Sequence, residues 1–369
     1  MYCIVNYFYF SHIFIILQWL SMQTTKNRAV WADLVRILAM YFVMIVHSTI
    51  LPNKLSQQTS FISFILFALS VTCVPIFVML SGAFLLPKYE QTFIYFKKRI
   101  LRLIIPWVTW VLLFIIWNVV TGHRSVNSLQ EAASAFRYFM TYFWFLPMIF
   151  FLYIITPPLR IFYHNARDRD IAFVVLLWFI SISLLPYTHN SSAFPLSVDN
   201  GFVRQTIVFV GYYLLGGLIV RRSFSNTLFF PISLLFFGIV WTVYCTIHAT
   251  VHNDFSVVRS FYDFASPGVV SSSFGLFLLF YSKRHYFQRA VSLQSARVIG
   301  FLGKTTLGIY IVHYLFVDYA RSVFQHPLFD GSVNIWEIFL TANFLFSVSV
   351  ISIFILMKIP IVRRLGLVA

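Results

Sequence analysis

The stretch Trp31-Ala-Asp33-Leu-Val-Arg36-Ile-Leu-Ala39-Met-Tyr-Phe-Val-Met-Ile-Val-His47 decides the class of fold. Ten uncharged residues separate Arg36 from His47, and the apolar run reaches residue 51. A helix crosses the hydrocarbon core of a bilayer with roughly 20 mostly apolar residues. The run 31–51 is that long, yet it carries an aspartate, an arginine and a histidine. It therefore reads as a membrane span with a polar side.

The rest of the chain has the same character. Of 369 residues, 60% are hydrophobic and only 10% charged, and the mean hydropathy is +0.82. Soluble domains average roughly 25% charged residues. An apolar surface this large would aggregate in water, so lipid is the solvent that fits. The sequence predicts an all-α polytopic membrane bundle of about ten helices. The predicted spans are 31–51, 60–86, 103–121, 142–159, 171–187, 205–220, 228–250, 265–281, 305–324 and 335–357. Pro75 is expected to kink or break the second. The loops 122–138, 188–204 and 282–304 are too short to fold alone.

Charge orients the bundle. The net charge of +16 could suggest nucleic acid, but the 27 Lys and Arg cluster between apolar runs. With the residues before the first span placed in the cytoplasm, Lys and Arg divide 21 inside to 6 outside. That is a positive-inside pattern, with both termini cytoplasmic and no nucleic-acid partner expected. Lys88 and Arg160 count among the inside set and Arg321 among the outside set. Cys3, Cys73 and Cys245 show no ligand spacing and no disulfide framework, and no metal is expected. Residues 1–21 form an uncharged apolar extension without the basic region or cleavage site of a signal peptide. They could be an eleventh helix. The reading favoured here starts the protein at Met22, leaving 22–369 as one membrane domain.

Charges inside a span are costly and mark interior or water-lined positions. Arg36 and His47 lie about 20° apart around the helix, and Asp33 and His47 about 40° apart. All three share one stripe, with Arg36 and His47 separated by roughly 16 Å along the axis. A basic face, Lys98, Arg99 and Arg102, opens the third span at i,i+3 and i,i+4 spacing. It suits either anionic lipid heads or phosphate groups. Tyr310 and His313 share a face of the ninth span. The His313–Asp318 spacing is discounted as a reactive pair, because i and i+5 diverge by about 140° on a helix.

Taken in order, these residues resemble the acyltransferase 3 family of membrane acyltransferases. Arg36-x10-His47, with Asp33 before it, is similar to that family's Arg-x10-His motif. Arg99-x-x-Arg102 is similar to its Arg-x-x-Arg motif. Phe77-Val-Met-Leu-Ser81-Gly82-Ala-Phe84 resembles its Phe-x-x-Ser-Gly-Phe segment, with Ala83 as a departure. Trp144-Phe145-Leu146, followed by Tyr153 and Pro157, resembles its fourth-helix segment. Thr306 to His313 resembles its penultimate-helix motif. The likeness covers about 28–360 and is nearest in pattern to enterobacterial surface-glycan O-acetyltransferases.

The resemblance implies an O-acyltransferase of a bacterial inner membrane. Such an enzyme moves an acyl group, most often acetyl, from cytoplasmic acetyl-CoA to a hydroxyl of a lipid-linked or envelope glycan such as enterobacterial common antigen or O-antigen. Acetyl-CoA would be a co-substrate, with no bound cofactor. A sugar hydroxyl is a poor nucleophile, and an imidazole can take its proton. His47 is thus the expected general base, with Arg36 and Asp33 as its catalytic companions. Arg99, Arg102 and Lys98 would hold the donor's phosphates. Ser81, Trp144, Tyr310 and His313 are expected to line the site, Ser81 being a weaker candidate for a covalent relay. A transporter or flippase of polyprenyl-linked glycans is the alternative reading. A glycan polymerase would need a long loop that is not seen.

Overall fold

The computed structural model describes residues 29–49, 61–120, 128–185, 202–222, 228–252, 258, 260–324, 335–360 and 362. The extension 1–21 and the start expected at Met22 lie outside the described residues. So do the counted cations Lys26, Arg28, Lys54, Arg124, Arg259, Arg363 and Arg364, while Arg204 has only its backbone described.

Among the described residues the chain is helical, without strands. The helices are α1 (Val30–Ser48), α2 (Phe61–Ser70), α3 (Cys73–Leu85), α4 (Thr92–Val120), α5 (Leu129–Tyr142), α6 (Phe145–Asn165) and α7 (Asp168–Phe179, continued by a π turn, Ile180–Leu184). They continue with α8 (Phe202–Arg221), α9 (Phe229–Val251), α10 (Pro267–Ser282), α11 (Arg284–Ala290), α12 (Leu293–Val312), α13 (Val317–Phe324) and α14 (Ile335–Leu356). Among the described residues, seven spans are long and apolar enough to cross a membrane, with α2 and α3 together forming one of them. Thr206–Arg221 and Pro267–Ser282 are shorter apolar helices. The protein is an all-α, multi-pass membrane bundle.

Several expected boundaries move. The second span breaks at Val71–Thr72, just before Pro75. The proline then occupies the first turn of α3, where its missing N–H breaks no helical bond. The basic cluster expected at the mouth of the third span lies inside α4, which starts at Thr92. The segment 129–142, expected as mostly loop, is a helix. Ser128 Oγ accepts the Glu131 N–H at its start, and Ala135 and Phe139 face inward. The ninth span begins at Leu293 rather than 305 and stops at Val312. A 3-10 turn, His313–Leu315, separates it from α13.

Helix α1 is the hub. It packs against α2, α3, α10, α11, α12, α13 and α14, whereas α4 packs on α5 and α6. Helices α3 and α8 approach closely because Gly82 and Gly216 face backbone. A Cβ at Gly82 would overlap the Tyr213 carbonyl, and one at Gly216 would overlap that of Met79.

Contacts tie the basic loops together at one end. The Val30 N–H donates to Gln288 Oε1. Asp168 pairs with Arg221 at 2.9 Å and with Arg222 at 3.4 Å. Arg160 is buried, so it is more than a topology marker. Its guanidinium donates twice to the Leu85 carbonyl, at 3.0 and 3.2 Å, and once to that of Glu90, at 3.2 Å. It also lies over the Tyr95 ring. Arg160 thereby satisfies a carbonyl orphaned at the end of α3 and pins the turn Leu86–Gln91.

Candidate functional site

A cavity of about 370 Å³ opens between α1, α3, α4, α6 and α12. Its polar lining gathers three cations, Arg36, Lys88 and Arg99, with Ser81, Tyr153, Thr306 and Tyr310. The remaining wall is apolar, including Val43, Phe77, Phe84 and Phe145.

The cations are held differently. Arg36 Nη1 donates to Asp33 Oδ1 at 2.7 Å, and the guanidinium lies 5.4 Å from the Phe84 ring centroid. Asp33 is 2% exposed on its side chain, while Arg36 is 29% exposed. The buried carboxylate therefore aims a cation that still reaches the cavity. Asp33 fits only because α12 presents a glycine there. A Cβ at Gly303 would stand 2.6 Å from Asp33 Oδ1. Arg99 is half-buried, 4.0 Å from Glu90 Oε2, and its Nε is buried without a hydrogen bond among the described residues. Glu90 Oε1 accepts from Lys98 at 3.0 Å. That bond, more than the nearby charges, holds the Glu90 carboxyl below its ordinary range.

Of the three residues expected to hold phosphates, only Arg99 lines the cavity. Lys98 is largely exposed and engaged by Glu90, and Arg102 is exposed outside the lining. Lys88, which sequence reasoning missed, stands in the lining instead. Partial burial first, and then the neighbouring Arg99, lower its pKa. Its signal was present as a lone lysine at the end of the second span. By sequence alone that lysine marks only topology.

The four side chains expected to line the site divide two ways. Ser81 and Tyr310 do line the cavity. The Ser81 hydroxyl donates to the Phe77 carbonyl at 2.9 Å, the usual back-bond of a helical serine. The Tyr310 hydroxyl is buried without a partner among the described residues, and its ring meets Phe145 edge-on at 5.5 Å. Trp144 packs instead on Phe209 and Phe264, outside the lining. His313 also lies outside it.

The stripe on α1 runs along this cavity. Arg36 and Val43 line it, and His47 follows one turn beyond Val43. The His47 ring lies 5.0 Å from those of His313 and Tyr314. His313 is fully buried and stands 5.7 Å from Tyr310, so Tyr310 separates the cavity from the histidine pair. Phe143 closes the group against Tyr314 at 5.9 Å. Asp318 is exposed, on the far side of the helix break from His313. Arg321 was also missed. Its Nε and Nη2 donate to the His47 carbonyl at 2.9 and 2.6 Å. A cation on the last carbonyls of a helix satisfies orphaned acceptors and opposes the dipole, which anchors the His47 backbone.

The arrangement can hold an anion at one end of a largely apolar channel and accept a proton near the other. Among the described residues no cluster of His, Cys, Asp and Glu could hold a metal ion. The family model described as an acyltransferase domain, that of the acyltransferase 3 family, matches residues 29–358. No curated protein and no solved structure matches the chain.

Proposed function

The chain belongs to the acyltransferase 3 family, and on that premise we propose that it moves an acetyl group from cytoplasmic acetyl-CoA to a hydroxyl of a cell-envelope glycan. The acceptor is a lipid-linked or envelope glycan, such as enterobacterial common antigen or O-antigen, and the membrane is a bacterial inner membrane. One observation carries this reading. Three cations stand around one end of a largely apolar cavity, and two imidazoles stand just past its other end.

The chemistry follows the cavity. Arg99, Lys88 and Arg36 hold the donor's phosphates, since guanidinium and ammonium groups bind phosphate oxygens by charge-assisted bonds. Arg36 belongs with the donor, because roughly 16 Å of helix separates it from His47. Asp33 keeps it aimed. The donor's acyl arm lies along Val43, Phe77 and Phe145 towards Tyr310. His47 takes the proton of the acceptor hydroxyl as the oxygen attacks the thioester carbonyl carbon. The new C–O bond forms, the C–S bond breaks, and the leaving thiolate recovers the proton. The Ser81 hydroxyl is spent on the Phe77 carbonyl and takes no covalent part.

The test is to compare envelope glycans from deletion, wild-type and His47→Ala strains by mass spectrometry. Loss of one acetyl group in both mutants supports the transferase. Unmodified glycan accumulating in the cytoplasm would mean that the protein is a carrier.

A further inference from the structure

We propose that His313 is a positioning residue for His47, receiving a hydrogen bond from the imidazolium that His47 becomes during transfer. This rests on the acyl-transfer reading above and extends it to a second histidine.

The argument starts at the helix break. Helix α12 ends at Val312, and His313 opens a 3-10 turn closed by Phe316 N–H on the His313 carbonyl. A 3-10 stretch that interrupts a helix often marks a functional hinge or local strain. The His313 Nδ1 is hydrogen-bonded to the Tyr310 carbonyl oxygen. A carbonyl oxygen can only accept, so Nδ1 carries the proton and Nε2 the lone pair. The ring is fully buried, and Nε2 has no partner among the described residues. Native proteins leave few such acceptors unpaired, and a catalytic role is one of the reasons that they do.

The donor is close at hand. His47 stands 5.0 Å away between ring centroids, its plane tilted 52° from that of His313, so a small ring rotation brings a His47 nitrogen within hydrogen-bond reach of His313 Nε2. Neutral imidazole has one N–H and imidazolium has two. When His47 takes the acceptor's proton, it gains a second N–H, and His313 Nε2 is a neutral acceptor fixed to receive one. The bond is strongest when His47 is charged, so it favours the transition state over the ground state. The rings of Tyr310 and Tyr314 pack against the pair, with Phe143 behind Tyr314 and the Arg321 guanidinium held on the His47 carbonyl, and in so buried a setting a polar contact weighs more. Proton balance is unchanged. His47 gains and returns the proton, and His313 neither gains nor loses one.

Two substitutions at one position separate this role from a structural one. His313→Asn keeps an amide donor near Nδ1 for the Tyr310 carbonyl and removes the Nε2 acceptor. His313→Gln reaches the Nε2 position and sacrifices the bond to Tyr310. Purified protein in lipid nanodiscs is assayed with acetyl-CoA and envelope glycan, with acetyl-CoA binding measured on each variant. We expect Asn to lower kcat about 10- to 100-fold, a fraction of what a general base supplies. KM for acetyl-CoA should hold, and Gln should recover part of the loss. In a His47→Ala background, Asn should cost nothing further, since residues acting as a unit are not additive. The proposal is overturned if Asn works like wild type, if Gln is the worse variant, or if the losses multiply. A wild-type protein that transfers nothing from acetyl-CoA overturns both this proposal and the transferase reading. An active wild type with an unaffected Asn variant overturns this one alone.

Discussion

The two ends of α1 belong to one helix and solve opposite problems. At the Asp33–Arg36 end, charge is abundant and most of it is answered. Asp33 holds Arg36, Glu90 holds Lys98 and faces Arg99, and backbone carbonyls hold Arg160. Lys88 and part of Arg99 are left turned to the cavity. At the His47 end the imidazoles of His47 and His313 meet the Tyr314 ring, and the Arg321 guanidinium is bonded to backbone. On the proposed reading, one end holds an anion and the other moves a proton. The difference teaches that a polar stripe on a spanning helix is not one device. Its neighbours divide it into two.

The largest test of that division is His47→Ala. Removing a general base should cost about 10²- to 10⁴-fold in kcat. Acetyl-CoA affinity, measured by titration calorimetry on purified protein, should stay within a few-fold. Loss of affinity on this substitution would break the comparison, because the two ends would then share one ligand contact.

Next comes the contrast of Arg99 with Arg102. Hydrogen bonds to charged groups contribute about 1.5–3 kcal/mol, so Arg99→Ala should weaken acetyl-CoA binding about 10- to 100-fold with kcat little changed. Arg102→Ala, exposed and outside the lining, should shift affinity by no more than about twofold, as isolated surface charges do. Equal effects would assign the basic face as a whole to the donor.

Gly303→Ala sharpens the same end from behind. The new methyl must displace the Asp33 carboxylate, which loosens Arg36. Overpacking costs typically about 1–3 kcal/mol. Thermal unfolding in detergent should show a lower midpoint, and KM for acetyl-CoA should rise several-fold.

The smallest effect is a pH dependence. Lys88 has a pKa below the ordinary lysine value, chiefly through partial burial and then Arg99. Only its protonated form attracts phosphate. Acetyl-CoA affinity should therefore fall as pH rises, and begin to fall at a lower pH than an ordinary lysine would allow. Bound phosphate would pull the pKa back up, so donor binding should take up protons in that range. Lys88→Arg, always charged, should flatten the dependence. A wild-type affinity constant up to the ordinary lysine range would remove Lys88 from the donor site.

Much of this was legible from residue order. Spans follow from apolar run length, and every one of the ten predicted segments overlaps a helix, because lipid leaves the backbone no other way to satisfy its own hydrogen bonds. Residues 129–142 escaped because an amphipathic helix has no long apolar run. The break at His313 escaped because nothing in Gly308-Ile-Tyr310-Ile-Val-His313 signals a change of helix type. Arg160 and Lys88 were read as orientation marks, since hydropathy counts a cation without saying what it faces.

What the sequence determined by itself is therefore one-dimensional: an all-α membrane bundle, its basic end, and a stripe joining Asp33, Arg36 and His47. Those follow from helical geometry and the cost of charge in lipid, which act within a single segment. Only the tertiary structure decided that Gly303 makes room for Asp33, that Lys88 rather than Arg102 joins Arg99, and that His47 meets His313. These pairings span up to 270 residues, between Asp33 and Gly303. They depend on which helices pack together, and no local pattern encodes that choice.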